Sequence, residues 1–441
     1  MRIGIVIPPI RDFYFTPHRA SFLGAEILKN IILKNTSHEV EIINLINLKK
    51  KPKIVSLPDY LNYLSEYLNK EFFFKNYKHF GLDFDNSVNI INKFNLNAII
   101  FSCFAFCYSE ELIELCKKIR KTNKNLFIAV GGQGVTVFPE FFENTQLFDL
   151  IICGEIETNF DEVLISIEKR KKGIIFLNTF TNEENMEFVI KKTYETKKIC
   201  YYSTILSRGC SKNCNFCSNH LIFGKKFRTI PIEKIEKEVK KINFPNKKIF
   251  INFEDDNILF AKEYLFEVIK ILKKYIKNPL FSFENGIDYM LLTEKEMEKL
   301  IKFGVRQFNF SFVNLNKEIL KNENRKVDVE KLKNLLFLAN KLKINTITYI
   351  IAGLKNDSFK NLISNLMFLS KLPTIIGYSP FYPVPGIKGF EKEKFFNYPQ
   401  GLLKATSMYP WNKSLSTYEL VRGFNVARAI NRYKYLENIS S

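Results

Sequence analysis

The sequence predicts an α/β chain built from two successive βα series: a flavodoxin-like, doubly wound domain, then a partial (β/α)6 barrel of the TIM type. Three observations predict it. Short, β-branched apolar runs recur through the first 157 residues, with helical segments between most of them. A second, six-strand series begins near residue 201. Between the two, residues 158–200 lose the pattern and turn polar, as in "NTFTNEENMEFVIKKTYETKK".

In chain order, strands are predicted for "RIGIVIP" (2–8), "EVEIINL" (39–45), "AIIFSC" (98–103), "LFIAVGG" (126–132) and "LIICGE" (150–155), with helices over 19–34, 109–121 and 137–144. Strand and helix in alternation mean a parallel sheet covered on both faces. Residues 48–90, rich in Tyr, Phe, Asn and Lys, are expected to form a helical insertion between the second and third strands. Residues 158–200 are expected to open with a helix (158–171) and then act as a linker, with room for a small hairpin. The second series has strands over 202–207, 248–253, 280–285, 306–312, 346–352 and 374–379. Its helices are expected over 231–242, 261–275, 293–303, 328–343 and 358–371. That places the barrel over 201–389 and leaves 390–441, with "MYPWN" and a final helical run, as a C-terminal helical extension.

Composition bounds the class. An apolar content of 46% over 441 residues suits a globular protein with sizeable cores. The longest apolar runs, "AIIFSCFAFC" and "ITYIIAGL", are too short to span a bilayer, and the N-terminal residues lack a signal-peptide pattern, so a cytoplasmic location is expected. The formal charge of +20 is spread over lysines along the whole chain. Charge alone speaks to solubility and association rather than to a reaction. The eight cysteines do not suggest a disulfide framework in such a compartment.

The chemistry concentrates in "SRGCSKNCNFCSNH", where Cys210, Cys214 and Cys217 are spaced C-x3-C-x2-C in the loop after the first barrel strand. Loops at the C-terminal ends of barrel strands are where such folds place reactive groups. Three thiolates can hold zinc or an iron–sulfur cluster. Zinc would want a fourth ligand, for which His220 is available. A cubane cluster with three protein ligands leaves one iron open.

The C-x3-C-x2-C spacing, with Phe216 just before the last cysteine and six βα units around it, resembles the radical S-adenosylmethionine superfamily. The resemblance implies a 4Fe–4S cluster on Cys210, Cys214 and Cys217, with S-adenosylmethionine on the open iron. Reductive cleavage would then yield a 5′-deoxyadenosyl radical. It further implies a methionyl-amino contact at Glu254, Asp255 and Asp256 in "INFEDDN", and a methionine-carboxylate contact at Arg325 in "NRKVD". An adenine contact is implied at Gly353 in "YIIAGL". Where many relatives carry a ribose-binding Glu, this chain has Val313, so Ser311 or Asn314 is expected to substitute. Arg208 and Lys212 flank the cysteines and would favour a negatively charged cluster.

"AVGGQGVTVFPE" and "FDLIICGEIETNF", together with "FYPVPGIKGFE" after the last strand, resemble members of that superfamily with an N-terminal cobalamin (B12)-binding-like domain. Gly131 and Gly132 would admit the ligand, and His18 is a candidate cobalt ligand. The chain departs from the usual Asp-x-His-x-x-Gly, with Thr16 at the Asp position and Gly24 too late. Cys103 and Cys107 are read as buried or loop thiols rather than ligands of a second cluster. The resemblance implies cobalamin-dependent methyl transfer to an unactivated carbon of a small-molecule or lipid-like substrate, with flavodoxin or ferredoxin as reducing partner. Two alternatives stand beside it. One is radical chemistry without cobalamin: rearrangement, oxidation or sulfur insertion. The other is a zinc-knuckle RNA-binding protein; nucleic acid is otherwise not an expected partner.

Overall fold

A computed structural model describes the chain apart from residues 17–19, 50, 178–179 and 441. Six parallel strands form the first sheet: Arg2–Ile7, Glu39–Asn44, Ala98–Ser102, Phe127–Gly131, Leu150–Cys153 and Gly173–Phe176. Numbered by sequence, they lie side by side in the order 2-1-3-4-5-6. Their near-continuous apolar sequence follows from burial on both faces. Ile3, Ile5, Ile7, Ile100 and Ala129 enter one core, and Val6, Ile99, Phe101, Ile128 and Val130 the other. The order reverses between the first and third strands, which opens a crevice at their C-terminal ends.

The second sheet holds the six predicted barrel strands, Ile199–Thr204, Lys248–Phe253, Leu280–Ile287, Val305–Val313, Asn345–Ala352 and Ile375–Pro380, all parallel. Alternation sorts their side chains. Ile251, Phe253, Phe281, Phe283, Phe308 and Phe310 face the helices in a large core, several of them as stacked rings. Asn252, Ser282, Asn309 and Tyr349, on the other face, form a hydrogen-bonded polar wall in the lumen. Asn309 Nδ2 reaches Tyr349 Oη at 2.9 Å and the Glu284 carbonyl at 2.8 Å, and Ser282 Oγ reaches Asn252 Oδ1 at 3.3 Å.

Four expectations need correction. Residues 48–90 are not mainly helical. Lys78–Phe80 pairs antiparallel with both Ile10–Asp12 and Lys53–Ile54 in a three-stranded ribbon, with a 3-10 turn at Asp59–Leu64. Pro52 and Pro58 interrupt any helix there, and Phe73, Phe74 and Tyr77 pack locally around Phe13. The helix Phe84–Lys93 is the ordinary crossover to the third strand. Residues 158–200 do more than link. After the helix Phe160–Glu168, Gly173–Phe176 adds a sixth strand to the first sheet, and Ile190–Glu195 pairs antiparallel with the first barrel strand. Both are half-exposed edge strands, which hide in polar sequence. The first barrel strand ends at Thr204, and Ser207–Arg208 leaves it to pair with Arg228–Thr229. Residues 390–441 are only partly helical: 3-10 turns fill 392–407 before the helix Thr417–Ser440. Among the described residues no helix is long and apolar enough to cross a membrane.

Candidate active site

The cysteine loop, 209–227, leaves the second sheet through a narrow neck. Ser207–Arg208 and Arg228–Thr229 close it as a two-residue antiparallel ribbon. Gly209 follows at φ +83°, where a Cβ would lie 2.2 Å from the Lys226 carbonyl. Only glycine fits that turn without strain. Within the loop, Cys217 N donates to the Cys214 carbonyl at 3.1 Å. Cys214 is buried; Cys210 and Cys217 are half-buried.

The thiols share one electrostatic environment. Burial raises the Cys210 thiol, opposed by the Lys212 N–H, with Asp256 and Cys214 adding to the rise. Burial pushes Cys217 up to about 11, aided by Cys214, Asp256 and Cys210. Ionised together, they would repel one another, and bound metal is what removes that penalty. Among the described residues, no three His, Cys, Asp or Glu side chains converge on a single metal ion. A cubane takes one thiolate per iron and asks for no such convergence. The donor chemistry, three grouped thiols at a barrel mouth, fits a cluster of that kind.

The acidic segment after the second barrel strand lies against the neck. Asp255 is buried and accepts from Leu206 N at 3.0 Å and Ser207 Oγ at 2.5 Å. Burial nevertheless pushes its carboxyl up to about 7. Asp256, whose side chain reaches the surface, is raised as well by the protein packed around its carboxyl, against the Asn219 amide, the Arg208 charge and the Gly209 N–H. Glu254 accepts from Ser21 Oγ of the first domain at 2.6 Å. Asp255 Oδ2 and Asn257 Oδ1 are buried acceptors, and Arg325 Nε a buried donor, without hydrogen-bond partners among the described residues. Such orphans at one mouth suit a ligand carrying both ammonium and carboxylate groups.

The other expected site residues divide. Arg325 is buried, pairs with Asp288 at 3.2 Å and donates to the Ser311 carbonyl at 2.8 Å. Lys212 pairs with the other Asp288 oxygen. Ser311 lines the strand end beside Gly286. Gly353 has φ +83°, donates to Asp357 at 2.9 Å and accepts from Asn412 at 3.0 Å. Phe216 packs against the cluster of Val313, Leu320, Leu354 and Phe381. Gly131 makes an ordinary strand contact, and Gly132 serves close packing. Cys103 N donates to the Gly131 carbonyl at 2.8 Å, and a Cβ on Gly132 would lie 2.7 Å from the Cys103 carbonyl. Cys103 is buried, and burial holds the half-buried Cys107 thiol up at about 12. His18 lies outside the described residues.

Arg208 does not face the thiols. It is buried against Glu157 and Glu155, which follow the fifth strand of the first sheet. Arg228 joins the same group. Neither the two glutamates nor Arg228 was expected at the site from sequence. The one available signal was a pair of carboxylates in "CGEIE", which has no partner until the fold supplies one. Asp288 carried no signal at all.

A model of the Radical SAM superfamily matches residues 204–369. An uncharacterised methyltransferase of Pyrococcus horikoshii is 22% identical over an alignment of 336 positions that covers 70% of this chain and 72% of that protein. The bacteriochlorophyllide d C-12(1)-methyltransferase of Chlorobaculum tepidum is 25% identical over 282 residues, and the match spans 60% of each chain. A structure of the radical S-adenosylmethionine methyltransferase TsrM from Kitasatospora setae, with cobalamin and a 4Fe–4S cluster bound, is similar at a TM-score of 0.58. The two share 13% identity over 91% of this chain and 77% of that one, a likeness of fold. The zinc-knuckle reading of the cysteine loop finds no support in these matches. With its cysteines at the mouth of a six-stranded βα series and a parallel-sheet domain ahead of it, the chain carries a Radical SAM superfamily domain over residues 204–369.

Proposed function

We propose that the chain is a cobalamin-dependent radical S-adenosylmethionine methyltransferase that acts on an unactivated carbon. The observation that carries this reading is the placement of Cys210, Cys214 and Cys217 at the barrel mouth beside Asp255, Asp256 and Arg325, with the first domain in direct contact through Ser21 and Glu254. When bound, the cluster and S-adenosylmethionine supply hydrogen abstraction by a 5′-deoxyadenosyl radical, and cobalamin supplies the methyl group. The protein's part is to hold the three thiols, to offer acceptors at Asp255 and Asn257, and to keep Arg325 oriented through Asp288. The substrate is a small molecule, and a flavodoxin or ferredoxin delivers the electron in the cytoplasm. The related methyltransferases named above support methyl transfer in particular.

One observation favours radical chemistry without cobalamin as a second reading. The chain itself lies at the rim of the crevice between the first and third strands, with Lys404 on Glu111 and Thr406 on Asp12. Metal and pigment content decide between the two. Anaerobically purified and reconstituted protein is expected to hold iron and acid-labile sulfide in equal amounts and to take up cobalamin, seen in the visible spectrum. Cys214→Ser is expected to lose most of the iron while keeping the cobalamin. Iron without cobalamin would establish the second reading, and zinc without iron would overturn both.

A further inference from the structure

The neck of the cysteine loop is locked to the first domain by four buried charged side chains. Glu155 and Glu157 come from the loop after the fifth strand of the first sheet, and Arg208 and Arg228 are cross-strand neighbours in the neck. Arg228 grips Glu155 with two parallel hydrogen bonds, Nη1 to Oε2 at 2.8 Å and Nη2 to Oε1 at 2.9 Å. Its guanidinium also donates to the Phe223 carbonyl at 2.7 Å and to the Thr181 carbonyl, while Thr181 N donates to Glu155 Oε2 at 2.7 Å. Arg208 donates to Glu157 and lies 3.6 Å from Glu155. All four side chains are at most 5% exposed.

Two positive and two negative charges cancel, so the group is tolerable in the interior. It is nonetheless a poor way to gain stability, because desolvation consumes most of what the attraction returns. What a planar, two-pronged Arg–carboxylate pair provides is orientation. The orientation has a short path to the thiols. Cys210 is two residues beyond Arg208, separated by Gly209, whose backbone is wedged against Lys226. Cys210 N also donates to the Gly224 carbonyl at 3.4 Å, one residue after Phe223, whose carbonyl Arg228 holds. The far side of the loop is anchored differently, to the segment that follows the fourth barrel strand and the helix Lys317–Asn322. Asn215 N donates to the Glu323 carbonyl at 3.3 Å, and Asn324 Nδ2 to the Asn213 carbonyl at 3.1 Å. One side of the cysteine loop thus belongs mechanically to each domain.

We infer that Glu155 and Glu157 are positioning residues for the cysteine loop: the first domain sets where the Cys210 thiol stands through the Arg208 and Arg228 guanidiniums. The inference rests on the reading of the thiols as cluster ligands only in its second readout. In the full-length protein without iron, amide hydrogen exchange over 209–227 is expected to quicken at least tenfold in Glu157→Gln and in Arg228→Lys. The latter keeps the charge but loses the fork. Exchange over 98–131, in the centre of the first sheet, is expected to stay as in the unmodified protein. In reconstituted protein, the same variants are expected to keep their iron but to change the electron paramagnetic resonance signal of the reduced cluster when S-adenosylmethionine is added. Asp85→Asn, which breaks the exposed Lys118 pair instead, is the control and should do neither. Exchange over 209–227 within twofold of the unmodified protein in both variants would overturn the inference, as would equal quickening over 98–131. Failure of the unmodified protein to take up any cluster would sink the functional reading and leave the exchange result to stand by itself.

Discussion

Asp255 sits where a carboxylate is held at a cost. It accepts two hydrogen bonds from the loop neck, yet burial lifts its carboxyl from the usual 3.8 to about 7. The folded chain therefore binds the proton more tightly than the unfolded chain. The stability this gives is complete below pH 3.8 and is lost as pH rises through about 7. Asp255→Asn, which keeps one acceptor and removes the ionisation, is expected to melt higher than the unmodified protein at pH 7.5 and, by a much smaller margin, at pH 4.5. Thermal unfolding at the two pH values checks it. Val313 carries a different local cost. Its φ of +78°, with Asn314 N donating to the Phe312 carbonyl at 3.2 Å, makes a tight three-residue turn. For a β-branched residue such a turn stores about 1–3 kcal/mol. No spacing in the sequence announces a backbone angle, so the strain beside Phe216 was invisible there.

The βα elements were the most legible part, because each strand and helix signals itself over several residues. All six barrel strands and five helices lie within a few residues of where apolar runs place them. What sequence hides are pairings made by two residues at a time. The neck ribbon is two residues wide, and the strands at 53–54, 173–176 and 190–195 depend on neighbours from elsewhere in the chain. The cysteine spacing was legible for the same reason as a helix, since its partners are local. The ion pairs of Glu155, Glu157 and Asp288 were not, since each joins distant segments. A further long-range device closes the last barrel strand. Asn431, on the helix Thr417–Ser440, accepts from Ile376 N at 2.8 Å and donates to the Ile376 carbonyl at 2.9 Å. It imitates the next strand and blunts an edge that would otherwise pair with another chain. Asn431→Leu is expected to lose about 1–3 kcal/mol in urea denaturation and to aggregate sooner on heating, as light scattering would show.

At the scale of the whole molecule, buried ion pairs join distant parts of the chain at two places: the loop neck, and the segment 400–408, which packs back on the first domain. In the second, Lys404 is fully enclosed. Its ammonium donates to Glu111 at 2.9 Å and to the Arg11 carbonyl at 2.8 Å, and Thr406 donates to Asp12 at 2.6 Å. Lys404→Met would strand Glu111 and Asp12 in the interior without a cation, and a loss of about 3–5 kcal/mol is expected. Adding Glu111→Gln and Asp12→Asn to it should recover most of that loss, which equilibrium denaturation can measure. The distance along the chain between these partners bears on how the protein is made. Domains tend to fold in the order of their synthesis, and the strands of the first sheet leave the ribosome early. Its two interior acids then wait for a lysine and a threonine that are translated more than 290 and 390 residues later. A nascent chain cut short before residue 404 would carry a first sheet with unneutralised acids at its rim. Such a chain should be a ready target for quality-control proteases.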